Sequence, residues 1–332
     1  MSTELAGAAG GAWLPAALNG GHRYSDRVDL AAAGQPVSAF YASRYRHSDA
    51  AVWRQRLAAG EICRNGQQLR ADVALVAGDA LVWHRPPWQE GAVPVLPGPL
   101  FDDGDLLVFN KPSGLPVLPA GGWLAHTVLG QLQRQRAAGS PRPVHRLGRF
   151  TSGLLLCARR PATRAWLSGL LRGGHCRKAY RALLQPPASG SPLWALQPGD
   201  SLALTTPIGR RHHARLGTIW AAAAAAGPAG SAAPLQARSE LTLLQRDLAA
   251  WLAEVTIATG RPHQIRIHTA AAGAPLLGDP LYGPGGVPCD QALPGDGGYH
   301  LHAHGLQLPL PEGGLLAWQA PLPRALRGRA DA

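Results

Sequence analysis

The chain has 332 residues, enough to bury a full hydrophobic core and, at ordinary domain sizes, to form two domains. Hydrophobic residues make up 46% and charged residues 16%, a globular composition without the apolar run of roughly 18 residues that a membrane-spanning helix needs. The formal net charge is +12, and arginine carries almost all of the positive charge because only Lys111 and Lys178 are lysines. Arginine binds phosphate bidentately and stacks on bases, so this charge predicts a polyanionic partner, most simply a nucleic acid.

The N-terminus and the cysteines favour a reduced, cytoplasmic protein. Residues 1–15 lack the basic segment and the sustained apolar stretch of a secretory signal. The four cysteines are scattered without a C-x-x-C pair, so we expect free thiols rather than a zinc ribbon or a disulfide framework. They are Cys63, Cys157, Cys176 and Cys289.

Residues 1–35 are rich in glycine and alanine and are predicted to form a loose leader, and residues 36–84 a small module. In the module, a short helix over 55–62 ends at Gly60, Asn65-Gly66 suits a hairpin turn, and a turn and strand follow at 76–82. This order resembles the S4 RNA-binding module, which presents arginines to RNA phosphates. The alternative is an ordinary αβ unit with solvated arginines. The candidate RNA-binding residues are Arg44, Arg46, Arg54, Arg56 and Arg64.

A proline-rich linker is predicted at 85–99, followed by a second domain over 100–327 with a low-complexity insertion at 221–234. Within this domain an apolar strand over 154–158 precedes a helix that opens at Pro161 and closes at Gly173-Gly174. Pro262 is likewise predicted at the first position of a helix. A basic turn over 209–213 is predicted to face RNA, with an exposed loop as the alternative. It contains Arg210, Arg211, His212 and His213.

Four segments of the second domain resemble the RluA family of RNA pseudouridine synthases, in the same order. They are residues 105–116, with Asn-Lys-Pro-Ser-Gly; residues 145–156, beginning His-Arg-Leu-Gly-Arg; residues 177–183, with Lys-Ala-Tyr-Arg-Ala; and residues 259–268, with Arg-Pro-His-Gln-Ile-Arg. Gly-Asp-Pro-Leu-Tyr-Gly follows the last segment. The resemblance covers nearly all of residues 100–310.

The resemblance implies an α+β fold: a mixed, largely antiparallel sheet with a central cleft, preceded by the small S4-like αβ module. It implies isomerisation of uridine to pseudouridine in structured RNA, rRNA or tRNA, by a monomer that needs no cofactor. By this resemblance Tyr180 lies against the uracil and Arg266 pairs with the catalytic aspartate, whose position is Gly148 here. The residues expected to bind substrate are Lys111, His145, Arg146, Arg149, Thr151, Arg261, His263 and Gln264.

Gly148 leaves two hypotheses open, because glycine cannot act as nucleophile or base. In the first, a carboxylate from elsewhere lies within about 4 Å of Arg266 and the protein is an enzyme. In the second, Arg266 is open to solvent or an RNA phosphate, and the protein binds RNA without modifying it. The acids nearest the motifs are Asp102, Asp103 and Asp105, while Asp279 in its Gly-Asp-Pro turn favours a structural role.

One further pattern could bind a metal. His300, His302 and His304 alternate and would share one face of a strand, where three imidazoles could bind zinc. A solvated strand face with one structural histidine is the favoured interpretation, because Leu-His-Ala also fits the last strand of the RluA resemblance. No metal is therefore expected.

Overall fold

The computed structural model describes residues 11–135, 139–213, 216–225, 233–310 and 313–331. In these residues the helices are α1 (Val37–Arg44), α2 (Ala50–Ala58), α3 (Val128–Gln135), α4 (Pro161–Gly173) and α5 (Gln264–Ala271). The strands are β1 (Trp13–Leu14), β2 (Ala17–Leu18), β3 (His22–Arg27), β4 (Ile62–Arg64), β5 (Gln67–Leu69), β6 (Ala80–Arg85), β7 (Gln89–Glu90), β8 (Val93–Pro94), β9 (Phe101–Asp102), β10 (Leu106–Lys111), β11 (Arg142–Pro143), β12 (Thr151–Ala158), β13 (Arg177–Leu184), β14 (Ser201–Leu204), β15 (Ile208–His213), β16 (Gly217–Ala222), β17 (Ser239–Arg246), β18 (Trp251–Ile257), β19 (Leu301–Pro309) and β20 (Leu315–Gln319).

The chain divides into two compact units. The smaller unit comprises residues 17–90 and the described part of 212–219. The larger unit comprises the described residues of 1–16, 91–211 and 220–332. No helix among the described residues is long and apolar enough to cross a membrane.

The smaller unit packs α1 and α2 against a four-stranded sheet in the order β3-β6-β4-β5. Asn65 (φ 51°) and Gly66 (φ 84°) join β4 to β5, so the predicted Asn-Gly hairpin is confirmed. Helix α2 begins earlier than predicted, at Ala50, because the Asp49 carboxylate caps it by accepting a hydrogen bond from the Val52 backbone N–H at 2.9 Å.

The predicted leader and linker are both corrected by the structure. Strand β3 pairs along its whole length with β6, and Val28 beside it is buried in the same core, so residues 22–28 belong to the smaller unit. Residues 1–10 of the predicted leader lie outside the described residues. In the linker, Val93 and Leu96 are buried in a core of the larger unit, so residues 93–96 are part of a packed domain. Leader and linker compositions resemble those of loops, and only long-range strand pairing shows otherwise.

The larger unit is built on one sheet in the order β14-β17-β18-β13-β19-β12-β10-β9, with β11 added to β12 and β20 to β19. The β12–β19 pair is parallel, and the other described pairs in this sheet are antiparallel. The expected mixed, largely antiparallel α+β architecture is therefore confirmed.

Strand β12 is central to this sheet, and every one of its residues is buried. Gly153 (φ 102°) opposes Ala303 of β19 so closely that a β-carbon would overlap the Ala303 carbonyl. The helix predicted after this strand is confirmed: α4 has Pro161 in its first turn, and Gly174 ends it in the left-handed conformation at φ 77°.

The predicted start of the later helix is wrong. Helix α5 begins at Gln264, and His263 before it has a left-handed backbone with φ 54°, which a helix cannot include. Pro262 therefore lies outside the helix. Of the predicted insertion, Ala221 and Ala222 belong to β16, while residues 226–232 are outside the described part of the chain.

Candidate active site

Arg266 lies in the first turn of α5 and is 3% exposed. Its Nε and Nη2 donate to Oδ2 and Oδ1 of Asp279, each at 2.7 Å, and its Nη1 donates to the Pro294 carbonyl at 3.2 Å. Burial alone would lower the pKa of Arg266, but the bonds to Asp279 outweigh it and raise the pKa. Arg266 is therefore a buried cation with a bidentate carboxylate partner.

Asp279 is the carboxylate near Arg266 that the sequence left undefined. Its buried side chain also accepts from the backbone N–H groups of Leu281 at 2.9 Å and Tyr282 at 3.3 Å, both through Oδ1. The solvent-exposed Arg266 of the binding hypothesis is not found. Because its oxygens are already engaged by four donors, Asp279 orients Arg266 and is poorly placed to attack a substrate.

Two tyrosine rings flank the Arg266 guanidinium. Its Cζ lies 4.3 Å from the ring centroid of Tyr299 and 5.1 Å from that of Tyr282. Such cation–π contacts fix the planes of the rings against the guanidinium. Arg266 thus joins α5 to the segment that leads into β19.

Gly148 is exposed and lies next to the Tyr299 ring that flanks Arg266. A β-carbon on Gly148 would lie closer than 3.0 Å to the Tyr299 hydroxyl and 3.3 Å from Thr151 Oγ1. The Tyr299 hydroxyl and Thr151 Oγ1 are themselves 3.3 Å apart. Gly148, Thr151, Tyr299, Arg266 and Asp279 therefore form one contiguous cluster, exposed at the glycine and buried behind it.

Tyr180 lies in β13 opposite Ala303 of β19, which in turn lies opposite Gly153 of β12. With strands about 4.8 Å apart, the Tyr180 backbone is about 10 Å from that of Gly153. The Tyr180 side chain packs against the same apolar cluster as Tyr299 and Phe150. Burial raises the pKa of Tyr180 to about 12, so its phenol is protonated at neutral pH. Convergence of Tyr180 with Gly148 on one substrate stays a prediction.

Lys111 does not have the substrate-facing position expected of it. Its side chain is fully buried, and Nζ donates to the carbonyls of Pro112 and Leu115 at 2.8 Å and of Arg149 at 3.1 Å. Burial lowers the pKa of Lys111 to about 7, with a smaller effect from the Arg149 charge. A lysine ammonium group whose three N–H donors all bind backbone carbonyls holds the Gly148 loop in place and is not available to a ligand.

The residues around Gly148 divide into buried supports and exposed cations. His145 Nε2 accepts from the Leu156 backbone N–H at 3.0 Å, and burial together with the Lys178 charge lowers the pKa of His145 to about 4. Arg149 stacks on Trp123 and Phe150, at 4.5 and 5.0 Å from their ring centroids. Arg146 is exposed and remains a candidate for substrate phosphate.

The start of α5 is held by hydrogen bonds within the protein. Gln264 accepts from the Thr259 hydroxyl and the Arg261 backbone N–H and donates to the Arg238 carbonyl, so its amide supports the turn rather than facing a substrate. His263 Nδ1 lies 2.6 Å from the Tyr282 hydroxyl. Burial and the nearby Arg266 charge lower the pKa of His263 to about 3, so the ring is neutral at physiological pH.

The three acids nearest the first motif are far from Gly148. Strand β10 pairs Leu106 with Ala158 and Lys111 with Gly153, so Lys111 is at the end of β10 next to the Gly148 loop. The acids precede Leu106 at the opposite end, about 17 Å away. Asp102 binds Arg159 in a bidentate pair, and Asp105 binds the Thr163 hydroxyl. None of Asp102, Asp103 and Asp105 replaces a carboxylate at Gly148.

Two of the three alternating histidines make side-chain hydrogen bonds within the protein. His302 is buried with Nδ1 2.8 Å from the Ser152 hydroxyl, and His304 Nδ1 lies 2.9 Å from the Ala320 carbonyl. Within the described ranges there is no group of three or more histidine, cysteine or acidic side chains arranged to hold a metal. The expected solvated strand face is wrong at His302, which is buried, while the hydrogen bond of His302 to Ser152 fits the one structural histidine of that interpretation.

The candidate RNA-binding arginines differ in their exposure and in whether a carboxylate or an aromatic ring already contacts them. Arg44 pairs with the buried Asp26, and Arg64 with Asp79 at 2.7 Å, so both charges are already partly neutralised. Arg56 stacks on Trp53 and Trp83, with its Cζ 4.2 and 4.7 Å from the ring centroids. Arg44, Arg46 and Arg54 are exposed, and of these three Arg44 is the one already paired with a carboxylate.

The predicted basic turn at 209–213 is wrong, because these residues lie in strand β15, and the segment is only partly exposed. Arg210 is exposed and stacks on Trp220, while Arg211 lies 3.6 Å from the Asp290 carboxylate. His213 is 0% exposed and its Nδ1 accepts from the Leu216 backbone N–H, so its expected RNA-facing position is wrong.

Sequence reasoning missed Tyr299. It immediately precedes the alternating histidines, yet a single tyrosine before a strand carries no periodic signal. The closeness of Gly148 to the Tyr299 hydroxyl, 151 residues later in the chain, can be recognised only from the three-dimensional structure.

Residues 105–271, half of the chain, match the family described as RNA pseudouridylate synthase. The chain belongs to this family. An uncharacterized RNA pseudouridine synthase of Synechocystis is 44% identical over 86% of this chain and 94% of its own length. RNA pseudouridine synthase 5 of Oryza sativa is 36% identical over 95% of this chain and 90% of its own. Among solved structures, human RNA pseudouridylate synthase domain containing 1 is 24% identical with a TM-score of 0.49, over 68% of this chain and 83% of that one.

Proposed function

We propose that this protein catalyses the isomerisation of uridine to pseudouridine in structured RNA, either rRNA or tRNA. The observation that carries the proposal is the buried Arg266–Asp279 pair lying behind the exposed Gly148, with Tyr180 two strands from the same loop. A buried charge pair is costly in desolvation and adds little net stability. Its presence behind an exposed position therefore favours a functional role for the pair.

The reaction constrains what the site must do. The N1–C1′ glycosidic bond breaks, the uracil turns, and C5 bonds to C1′ in its place. Nothing is oxidised or transferred to a second molecule, so no cofactor is proposed. The target nucleotide has to leave its stack to be reached. The protonated Tyr180 phenol is proposed to pack against the uracil, and the exposed Arg146 to bind the backbone phosphate.

RNA binding is proposed to use both units. The smaller unit is proposed to act as an S4-like module, with Arg46, Arg54 and the Trp-stacked Arg56 as its phosphate contacts. In the larger unit Arg210 and Arg211 would add charge, and the relatives named RNA pseudouridine synthases support RNA as the substrate. We further propose that the protein works as a monomer in the cytoplasm, where rRNA and tRNA are found.

The test is to map pseudouridines in a deletion strain and its parent, and to treat RNA from the deletion strain with purified protein. We expect a pseudouridine that disappears on deletion and is restored by the wild type. Tyr180→Phe should bind the same RNA with similar affinity but form product more slowly. Loss of no pseudouridine, with no product from any RNA in vitro, would refute the proposal.

The absence of a side chain at Gly148 favours a second candidate, an RNA-binding protein without catalytic activity. It predicts salt-sensitive RNA binding by the wild type with no pseudouridine formed. Tritium release from RNA labelled at uracil C5 separates the two, since only the isomerisation exchanges that hydrogen. The binding candidate is refuted by tritium release that depends on wild-type protein.

A further inference from the structure

Tyr299 occupies the place into which a side chain at position 148 would project. Its ring is buried, with the whole residue 2% exposed, and its hydroxyl lies directly beneath the α-carbon of the exposed Gly148. Gly148 is exposed and has no side chain to cover the hydroxyl. The Tyr299 oxygen therefore lies just behind an exposed backbone position of the cluster.

Other groups in the cluster are less suited to attack. Asp279 accepts four hydrogen bonds and is bound to Arg266. Thr151 has an aliphatic hydroxyl, which is a much weaker acid than a phenol and forms an attacking oxyanion less readily. Among the residues that the structure describes, the Tyr299 hydroxyl makes one hydrogen-bond contact, to Thr151 Oγ1 at 3.3 Å, so it is only weakly engaged. Asp296 is exposed in the preceding loop, and its carboxylate already accepts from the Leu293 backbone N–H.

Resting on the proposed function, we propose that Tyr299 is the catalytic residue of this protein, its phenol oxygen acting on the ribose in place of a carboxylate at position 148. Tyrosine serves as the nucleophile at a glycosidic carbon in sialidases, so this chemistry is available to a phenol. Arg266, stacked at 4.3 Å on the ring, holds it in position. Tyr299 and Gly148 then form a functional pair, since the phenol fits only because residue 148 is glycine.

The proposed step balances without a co-reactant. The Tyr299 oxygen bonds to C1′ as the N1–C1′ bond breaks, and that bond's electron pair passes to N1, which takes the phenol proton. After the uracil turns, C5 bonds to C1′ and the C1′–O bond breaks, returning its electron pair to the phenolate. The phenolate then takes the proton from C5. The net result is one hydrogen moved from C5 to N1, which is the difference between uridine and pseudouridine.

The test compares Tyr299→Phe with two controls in single-turnover pseudouridine formation on RNA that the wild type modifies. Tyr299→Phe should lower the rate about a thousandfold or more, with RNA affinity and melting temperature nearly retained. Tyr41→Phe removes another buried hydroxyl, one without a hydrogen-bond partner among the described residues, and should leave the rate unchanged. Asp296→Asn tests the nearby carboxylate and should also remain active.

A second measurement separates a chemical role from a structural one. Fluorotyrosine at position 299 lowers the phenol pKa and should shift the pH–rate profile, which a tyrosine that merely packs would not do. Wild-type activity in Tyr299→Phe, or an unmoved profile, overturns the inference and leaves the proposed function standing. Inactive Asp296→Asn beside active Tyr299→Phe assigns the chemistry to the carboxylate instead. A wild type that forms no pseudouridine overturns both proposals.

Discussion

The overlap between Gly148 and Tyr299 predicts a measurable coupling in stability. A β-carbon at position 148 would lie inside 3.0 Å of the Tyr299 hydroxyl, and the buried ring has little room to move. Overpacking of this kind costs about 1–3 kcal/mol, so Gly148→Ala should lower the free energy of unfolding by that amount. Gly148→Asp places the same β-carbon and should be destabilised at least as much.

Removing the hydroxyl should remove the severe overlap and leave only the 3.3 Å approach to Thr151 Oγ1, which a small shift relieves. In Tyr299→Phe the nearest remaining ring atom to that β-carbon is Cζ at 3.7 Å, an ordinary contact. The single substitution forfeits one long hydrogen bond, about 0.5–1 kcal/mol. Adding Gly148→Ala to it should then cost little, which gives a coupling energy of about 1–3 kcal/mol in the double-mutant cycle.

Urea unfolding of the four proteins of the cycle measures this coupling. Gly298→Ala is the matched control, because Gly298 adjoins Tyr299 and a β-carbon there meets no atom within 4 Å; its cost should stay within about 0.5 kcal/mol. If Gly148→Ala costs the same in both backgrounds, the Tyr299 hydroxyl does not occupy that space, and the catalytic inference loses its geometric basis.

Three further predictions concern the supports and the RNA surface. Asp279→Ala leaves Arg266 buried and unpaired, so it should lower the free energy of unfolding by about 3–5 kcal/mol. Thermal or urea unfolding measures this loss, and a value below about 1 kcal/mol would contradict the pairing. Burial lowers the pKa of His145 to about 4, so on acidification the unfolded chain takes up the imidazole proton before the folded chain does. The free energy of unfolding should therefore fall as pH drops from about 6.5 to 4, by up to about 1.4 kcal/mol per pH unit. Unfolding measured across that range should show a flatter pH dependence for His145→Gln. RNA affinity should fall steeply as salt concentration rises, and an affinity independent of salt would refute phosphate binding. Arg54 is exposed, so Arg54→Gln should reduce the slope of log affinity against log salt by about one. Arg64 is already paired with Asp79, so Arg64→Gln should change that slope less.

Local structure and motif order were within reach of the sequence. The β4–β5 hairpin followed from Asn65-Gly66, whose left-handed backbone those residues adopt at small cost. The limits of α4 followed from Pro161 and Gly174, one suited to a first helical turn and the other to a left-handed end. The family followed from four segments in order. Each of these signals lies within a few adjacent residues.

The composition of the site was decided by the tertiary structure. Lys111 reads as an exposed cation at a strand end, but the fold surrounds it with three carbonyls. In the sequence Asp279 is typical of a turn, but in the folded protein its carboxylate binds Arg266. Tyr299 carries no motif, and it reaches Gly148 only because the chain beyond β18 returns to place β19 beside β12. Contacts between residues so distant in sequence depend on sheet order and packing, which no local pattern of residues encodes.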